Sequence, residues 1–167
     1  TLVHTFEGHT GHVYALAVTP DGQHIISGSD DHLVKVWSVA NKSLVSTCES
    51  GGRVLALAAM PDGKRFLSGS TDDTVRVWHL DGTLKNTFSE LHDGPVQALV
   101  ALPDNQHALS GAFDASSVKL FNVNDGAVLR TFFQGQVMCL ALLPDGLRFV
   151  SGLHENTAHI VYHGLAP

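Results

Sequence analysis

The strongest constraint on this chain is an internal repeat. A Pro-Asp pair occurs four times at spacings of 41, 42 and 41 residues, at Pro20-Asp21, Pro61-Asp62, Pro103-Asp104 and Pro144-Asp145. A Ser-Gly pair keeps the same spacings, at Ser27-Gly28, Ser68-Gly69, Ser110-Gly111 and Ser151-Gly152. A Thr-aromatic pair leads three of the units, at Thr5-Phe6, Thr87-Phe88 and Thr131-Phe132. Because repeats of this length stack so that neighbours share a core, the sequence predicts an array of four units.

Each unit has the pattern of short β-strands. The predicted first strands are 13–18, 54–60, 96–102 and 137–143, and each is followed by Pro-Asp-Gly or Pro-Asp-Asn, which favours a tight turn. Second strands are predicted around 25–27, 66–68, 108–110 and 149–151, and third strands at 34–37, 75–78, 118–121 and 158–161. Fourth strands are predicted around 44–47, 84–88 and 128–132. No segment keeps a 3.6-residue period, so the fold is predicted to be all-β.

The first strand of each unit is apolar on both faces. In the first unit one face carries Val13, Ala15 and Ala17, and the other carries Tyr14, Leu16 and Val18. A strand that is covered on both sides must lie between two layers. Small residues on one face are typical of a crowded place where sheets converge, as they do when four-stranded sheets stack around an axis.

The units resemble WD (WD40) repeats, which form β-propellers built of four-stranded antiparallel blades. The first unit has Gly8-His9, Ser27-Gly28-Ser29-Asp30-Asp31 and Val34-Lys35-Val36-Trp37, and the second has Ser68-Gly69-Ser70-Thr71-Asp72-Asp73 and Val75-Arg76-Val77-Trp78. The Asp that follows Trp in the family is replaced by Ser38, His79, Asn122 and Tyr162. The resemblance implies a non-catalytic scaffold that presents loops to a protein or peptide, or alternatively a structural subunit built permanently into a large assembly.

The resemblance also implies a buried bracing set of His, Ser, Asp and Trp in each blade. The first unit has all four residues, the second lacks the His, and the third has Phe121 in place of Trp. The fourth lacks the His and keeps Ser151, but it has Glu155 and Val161 at the Asp and Trp positions. The predicted bracing residues are His9, Ser27, Asp31, Trp37, Ser68, Asp72, Trp78, His92, Ser110 and Asp114.

The same comparison predicts the domain organisation. Residues 9–48, 51–88, 92–132 and 135–163 are the predicted blades, and residues 1–6 are a predicted outer strand that completes the last blade. This closure would pair residues 3–6 with 158–161 and cover an exposed sheet edge. Three assemblies fit this count: four blades that close alone, a homodimer with an eight-bladed ring, and a larger propeller completed by further blades.

The candidate binding face is formed by residues at the start of each first strand and by the residue before the turn acid. The turn acid is the bracing Asp, or Glu155, between the second and third strands. By family analogy the partner-binding residues are His12, Tyr14, Asp30, Arg53, Leu55, Thr71, Gln97, Phe113, Met138 and His154. Apolar and aromatic groups such as Leu55, Phe113 and Met138, together with an arginine, are typical of residues that dominate protein interfaces. Each of them could instead only cap the core or face solvent.

Composition narrows the classes of partner and cofactor. Sixteen acidic residues against 10 Lys and Arg give a net charge of -6, which disfavours nucleic acid as a partner. No apolar run approaches the ~20 residues of a membrane span, so no membrane partner is expected. Eleven histidines lack the spacing of a metal site, so no metal and no cofactor are predicted. The recurrent Ser and Asp residues are explained by the repeat, so the chain is not predicted to be an enzyme.

The two cysteines, Cys48 and Cys139, predict an intracellular, cytoplasmic protein because they are too few for a disulfide framework. Cys139 lies on a predicted first strand and is expected to be buried and inert. Cys48 is expected to be the more accessible thiol.

Overall fold

The computed structural model describes residues 1–114, 117–133 and 135–165. These residues form fifteen β-strands and no helix, which confirms the all-β prediction. The strands are β1 (Val13–Val18), β2 (His24–Ser29), β3 (Leu33–Ser38), β4 (Ser43–Glu49), β5 (Val54–Ala59), β6 (Arg65–Ser70), β7 (Val75–His79), β8 (Leu84–Phe88), β9 (Val96–Ala101), β10 (His107–Ala112), β11 (Ser117–Asn122), β12 (Val128–Phe133), β13 (Val137–Leu142), β14 (Arg148–Leu153) and β15 (Ala158–Tyr162).

Each repeat folds into one antiparallel sheet, or blade. Blades 1, 2 and 3 are four-stranded meanders in the orders β1-β2-β3-β4, β5-β6-β7-β8 and β9-β10-β11-β12. Blade 4 has three strands, β13-β14-β15. The architecture of antiparallel propeller blades is therefore confirmed, with one strand fewer in the last blade.

The Pro-Asp turns connect the first two strands of every blade in the same way. The third turn position has positive φ, at Gly22 (70°), Gly63 (64°), Asn105 (60°) and Gly146 (67°). The turn aspartate accepts the backbone N–H two residues later, as Asp21 does from Gln23 at 2.9 Å. Glycine and asparagine tolerate this left-handed backbone, which explains why the sequence repeats Gly or Asn at that position.

Neighbouring blades pack face to face along the array. The first strands lie side by side in the order β1, β5, β9 and β13. One apolar cluster lies between blades 1 and 2 and includes Ile26, Val36, Phe66 and Trp78. Equivalent clusters lie between blades 2 and 3 and between blades 3 and 4. Most of the hydrophobic core is therefore shared between blades, as expected for a repeat array.

The outward faces of the two terminal blades are exposed. Leu16 and Val18 on blade 1 and Ile160 on blade 4 are exposed apolar side chains, so the four blades form an open arc. The predicted closing strand is not formed within the chain, because residues 1–12 contain no strand and β15 pairs only with β14 among the described residues. Phe6 instead packs on Trp37 of blade 1 with ring centroids 5.3 Å apart. Residues 1–6 therefore lie at the opposite end of the arc from β15.

Candidate functional site

The loops that precede the first strands meet the turns between the second and third strands at one face of the arc. In every blade a backbone hydrogen bond joins the residue before the first strand to the residue before the turn acid. The bonds run from Asp30 N to His12 O (2.9 Å), Thr71 N to Arg53 O (3.0 Å), Phe113 N to Pro95 O (2.9 Å) and His154 N to Gln136 O (2.9 Å). The structure thus brings the predicted binding residues of each blade to this face, which we call the loop face.

A β-bulge occurs at the second residue of each first strand. The register between the first and second strands shifts at Tyr14, Leu55, Gln97 and Met138. A bulge leaves its residue out of the ladder and re-aims its side chain. These four residues line a common opening of about 240 Å³ between the first strands. We call this opening the mouth.

The side chains of the mouth are partly open to solvent. Tyr14 is 54% exposed and Met138 is 43% exposed, whereas Leu55 and Gln97 are half-buried. Ala15, Ala56, Ala98 and Cys139 follow them in the lining. Small residues at these positions leave room for a side chain of a bound partner. The sequence predicts Leu55, Phe113 and Met138 near a channel mouth; Leu55 and Met138 line it, whereas Phe113 is not among the lining residues. The alternation of residue types gave no sign of the four bulges.

Contacts between blades form the rim of the mouth. The Nε atom of Arg53 lies 2.9 Å from Oδ1 of Asp30, which links blade 2 to blade 1. The exposed His12 also faces Asp30, with Nδ1 3.9 Å from Oδ2. Between blades 3 and 4, the rings of Phe113 and His154 meet edge to face with centroids 5.4 Å apart. Arg53 and His12 remain exposed, so the rim offers both charge and ring surface to a partner.

The bracing residues of blade 1 form a continuous hydrogen-bonded chain behind this face. Trp37 Nε1–H donates to Ser27 Oγ at 2.8 Å, and Ser27 Oγ lies 2.8 Å from His9 Nε2. His9 Nδ1 lies 2.8 Å from Asp31 Oδ2, which also accepts the backbone N–H of Thr10. When the proton of His9 is on Nδ1, every side-chain group in this hydrogen-bonded series has a partner.

Asp31 is held as a carboxylate in this chain. Burial opposes ionisation, but the hydrogen bonds from Thr10, His9 and Leu33 outweigh it and lower the pKa of Asp31 below its ordinary value of 3.8. The turn acid therefore supports the loop before β1 and does not act as a free acid or base.

Blade 2 replaces the missing histidine with an arginine. Trp78 Nε1–H donates to Ser68 Oγ at 2.8 Å, as in blade 1. Asp72, however, contacts Ser70, Thr74 and Arg76, and Arg76 also donates to the backbone carbonyl of Ser50. Ser50 stands where blades 1 and 3 have His, so Arg76 crosses that gap from β7. Sequence reasoning missed Arg76, although the Gly51-Gly52 pair at the histidine position was a signal.

Blade 3 keeps the histidine but has no indole. His92 Nδ1 lies 2.9 Å from Asp114 Oδ2, and His92 Nε2 lies 2.8 Å from Ser110 Oγ. Phe121 is fully buried and packs edge to face on Phe88 with centroids 5.8 Å apart. Burial lowers the pKa of His92 below 6.5 despite the opposing effect of Asp114. Blade 4 buries Ser151 and leaves Glu155 exposed.

The expectation for the two cysteines is wrong. Cys48 is buried between blades 1 and 2, and burial raises the pKa of its thiol to about 11. Cys139 is exposed because it lies on the outward face of blade 4, where no further blade covers it. A buried Cys139 would require a blade on both sides of its strand.

Residues 1–114, 117–133 and 135–165 contain no cluster of His, Cys, Asp and Glu able to hold a metal ion. Within the same ranges no helix is long and apolar enough to cross a membrane. The candidate site is thus defined by the mouth, its rim and the braces that support them.

Comparison with known families adds to this geometry. Residues 1–38 and 42–79 match the family model of the WD domain, G-beta repeat. These two matched segments cover a little under half of the chain. Each matched sequence repeat is offset from a blade by one strand. Residues 42–79 begin with β4, the outer strand of blade 1, and continue with β5, β6 and β7, the three inner strands of blade 2. In residues 1–38, the segment before β1 occupies the position that β4 has in the second repeat.

Similarity to curated proteins is confined to a short stretch. The ribosome biogenesis protein BOP1 homolog of Drosophila grimshawi is 42% identical over 45 residues, which is 27% of this chain and 6% of that protein. The BOP1 homolog of Drosophila melanogaster is 40% identical over a stretch of the same length. The matched stretch thus spans a small fraction of these relatives.

Proposed function

We propose that this chain is a non-catalytic interaction module whose loop face binds an extended segment of another protein. One observation carries the proposal: four bulges at equivalent positions aim Tyr14, Leu55, Gln97 and Met138 into one opening. A bulge costs ladder hydrogen bonds, and bulges are frequent beside functional sites. WD repeats and their protein-binding role support the same conclusion.

The chemistry of the mouth and rim defines the partner. Tyr14 and Met138 offer apolar and polarisable surface, which suits an apolar or aromatic side chain of the partner. Arg53, Asp30 and His12 on the rim offer charges of both signs within one blade boundary. The fitting ligand is a peptide with an apolar anchor and flanking polar residues.

Selection of peptides from a random display library on the folded chain tests this function. Binding of a selected peptide is then measured by calorimetry. Tyr14→Ala should weaken binding of the peptide by about tenfold or more, because an aromatic anchor contributes roughly 1.4 kcal/mol or more to the binding free energy. Leu84→Ala, on the outer strand β8, is the matched control and should leave affinity unchanged. Selected peptides whose affinity is insensitive to Tyr14→Ala and Phe113→Ala would overturn the proposal.

The second candidate is a structural subunit held permanently in a large assembly. The observation that favours it is the 45-residue similarity to the ribosome biogenesis protein BOP1 homologs. A pulse-labelled chain that never exchanges out of one large particle would support this role. Rapid exchange with a free pool would support the interaction module instead.

For either role we propose a cytoplasmic location, consistent with a chain that has no need of disulfides. Imaging of a fluorescent fusion in intact cells checks the location.

A further inference from the structure

We propose that a pocket between the Pro-Asp turns of blades 3 and 4 binds an arginine side chain of a partner protein. These turns lie at the opposite end of the strands from the loop face, and we call this end the turn face. The pocket has a volume of about 280 Å³. Both blades that form its walls lie within the chain, so the site is at an internal boundary. Its main lining residues are Leu102, Pro103, Asp104, Asp145, Leu147 and Leu165.

The walls of the pocket combine apolar surface with two carboxylates. Leu102, Leu147 and Leu165 supply the apolar surface, and Asp104 and Asp145 supply the carboxylates. Among the described residues, the lining includes no lysine or arginine. A long side chain with an apolar stem and a cationic end matches this distribution, because the stem packs on leucine while the charge reaches a carboxylate.

At the other two internal boundaries the chain itself supplies donors to the equivalent turn aspartate. Asp62 Oδ2 accepts hydrogen bonds from Arg65 Nε at 2.7 Å and from Asn105 Nδ2 at 3.2 Å. Arg65 also donates to the backbone carbonyl of Asn105 at 3.1 Å, so its guanidinium joins blades 2 and 3. Asp21 Oδ1 accepts the hydroxyl of Thr19 at 2.5 Å. The boundary before the pocket therefore already holds a guanidinium of this chain.

At the pocket, the groups that fill the same space one boundary earlier are shorter or missing. In the repeat, His107 occupies the position of Arg65, and Gly146 occupies the position of Asn105. His107 Nδ1 lies 2.6 Å from Asp104 Oδ2. The second donor, which Asn105 supplies one boundary earlier, has no counterpart in the turn of blade 4 because Gly146 has no side chain. This oxygen of Asp104 can therefore accept a donor from a partner.

Two further sequence changes distinguish the pocket from the boundary between blades 1 and 2. Leu102 stands where blade 1 has Thr19, and Leu147 stands where blade 2 has Lys64. The turns at that earlier boundary thus contain a hydroxyl and an ammonium group, whereas the turns at the pocket have leucines at these positions.

Asp104 is the charge that a ligand would meet. Burial opposes its ionisation, but hydrogen bonds from the side chain of His107 and from the backbone N–H groups of Gln106 and His107 outweigh it and hold the pKa of Asp104 below 3.8. Arg148 Nε lies 2.6 Å from Asp145 Oδ2 and compensates the charge of that second carboxylate. A guanidinium is favoured over a neutral donor at Asp104, because hydrogen bonds between charged groups are the stronger ones.

Titration of the folded chain with N-acetyl-arginine N-methylamide, followed by NMR, tests the site. The backbone amide signals of Asp104 and Leu147 should shift saturably, with a dissociation constant on the order of 1 mM for so small a probe. The citrulline analogue has nearly the same shape but no charge, so it should bind at least about tenfold more weakly. Equal binding of the two probes, or no saturable shift with the arginine probe, overturns the proposal.

Gly146→Asn fills the pocket from within the chain. Asparagine fits the backbone there, since φ is 67° at Gly146 and 60° at Asn105 in the equivalent turn. A Cβ atom on Gly146 would lie 3.3 Å from Pro103 Cγ, in the wall of the pocket. This variant should lose measurable binding of the arginine probe. Gly22→Asn is the matched control, because Gly22 has a φ of 70° and a Cβ atom there would meet open space; its affinity should be unchanged.

Asp104→Asn separates the charge of the site from its volume. The new side chain keeps an oxygen that can accept the backbone N–H groups of Gln106 and His107, so the turn should be retained. Binding of the arginine probe should weaken by about tenfold or more. Unchanged affinity in either folded variant would place the probe elsewhere on the chain and overturn the proposal.

Discussion

Val96 lies directly against Gly69, and this contact joins blades 2 and 3. A Cβ atom on Gly69 would lie 2.6 Å from Val96 Cγ1, closer than two carbon atoms can approach. The same relationship recurs at the other two internal boundaries, with Val54 on Gly28 and Val137 on Gly111. In the first three repeats, the serine of the Ser-Gly pair is buried and belongs to the brace, and the glycine leaves room for the valine of the next blade.

Gly69→Ala should lower the free energy of unfolding by about 1–3 kcal/mol, because the added methyl group overpacks the boundary. Chemical denaturation of the purified chain measures the change. Adding Val96→Ala removes the branched methyl groups that clash, so the double variant should lose less stability than the sum of the two single variants. Losses that simply add would show that the clash is not the cause.

Trp37→Phe should lower the free energy of unfolding by about 1–3 kcal/mol, since it removes the indole donor to Ser27 and leaves a small void. His9→Gln acts on the same hydrogen-bonded chain, so the two changes should be non-additive by about 0.5 kcal/mol or more in a double-mutant cycle.

Trp78→Phe combined with His9→Gln is the matched control for that cycle. Trp78 bonds Ser68 in blade 2 and shares no partner with His9. These two losses should add to within about 0.5 kcal/mol. Equal coupling in both cycles would contradict the idea that the brace is local to one blade.

The repeat made the strands and their order predictable, because Pro-Asp turns and apolar runs are local signals. It also predicted the residues of the loop face. It did not predict the bulges at Tyr14, Leu55, Gln97 and Met138, because a bulge changes the backbone register without changing the alternation of residue types. Arg76 was missed for a related reason: its partners, Asp72 and the carbonyl of Ser50, are set by tertiary contacts.

The predicted pairing of residues 3–6 with 158–161 requires a ring closed within the chain, which is one of the three assemblies that the strand count left open. The strand count predicts a fourth-strand segment at residues 1–6, and Phe6 of this segment packs on Trp37 of blade 1. Counting strands could not show that this segment packs on blade 1 and does not pair with β15. The prediction of a buried Cys139 had a separate cause, because it required both faces of every first strand to be covered.

Thiol labelling should distinguish the two cysteines. Cys139 is exposed and should react with a thiol reagent in the folded chain. Cys48 is buried and the pKa of its thiol is raised to about 11, so it should react only after denaturant is added. Mass spectrometry of the labelled peptides checks the assignment. Labelling of Cys48 at the rate of Cys139 in folded protein would contradict the packing between blades 1 and 2.

Stability should fall as the pH is lowered through the range in which histidine titrates, partly because of His92. Burial lowers the pKa of His92 below 6.5, so the unfolded chain binds a proton at this residue more readily than the folded chain. Its contribution to stability is therefore complete above pH 6.5 and is lost as the pH falls toward the pKa of the folded state. One such proton contributes a slope of at most about 1.4 kcal/mol per pH unit.

Denaturation midpoints measured between about pH 8 and pH 5 test this expectation. His92→Gln should be less stable at the upper end of the range and should show a shallower dependence on pH. Leu84→Ala is the control, because it removes no titratable group and should leave the slope unchanged. A slope that His92→Gln leaves unaltered would show that the buried chain of His92, Ser110 and Asp114 is not coupled to protons in this range.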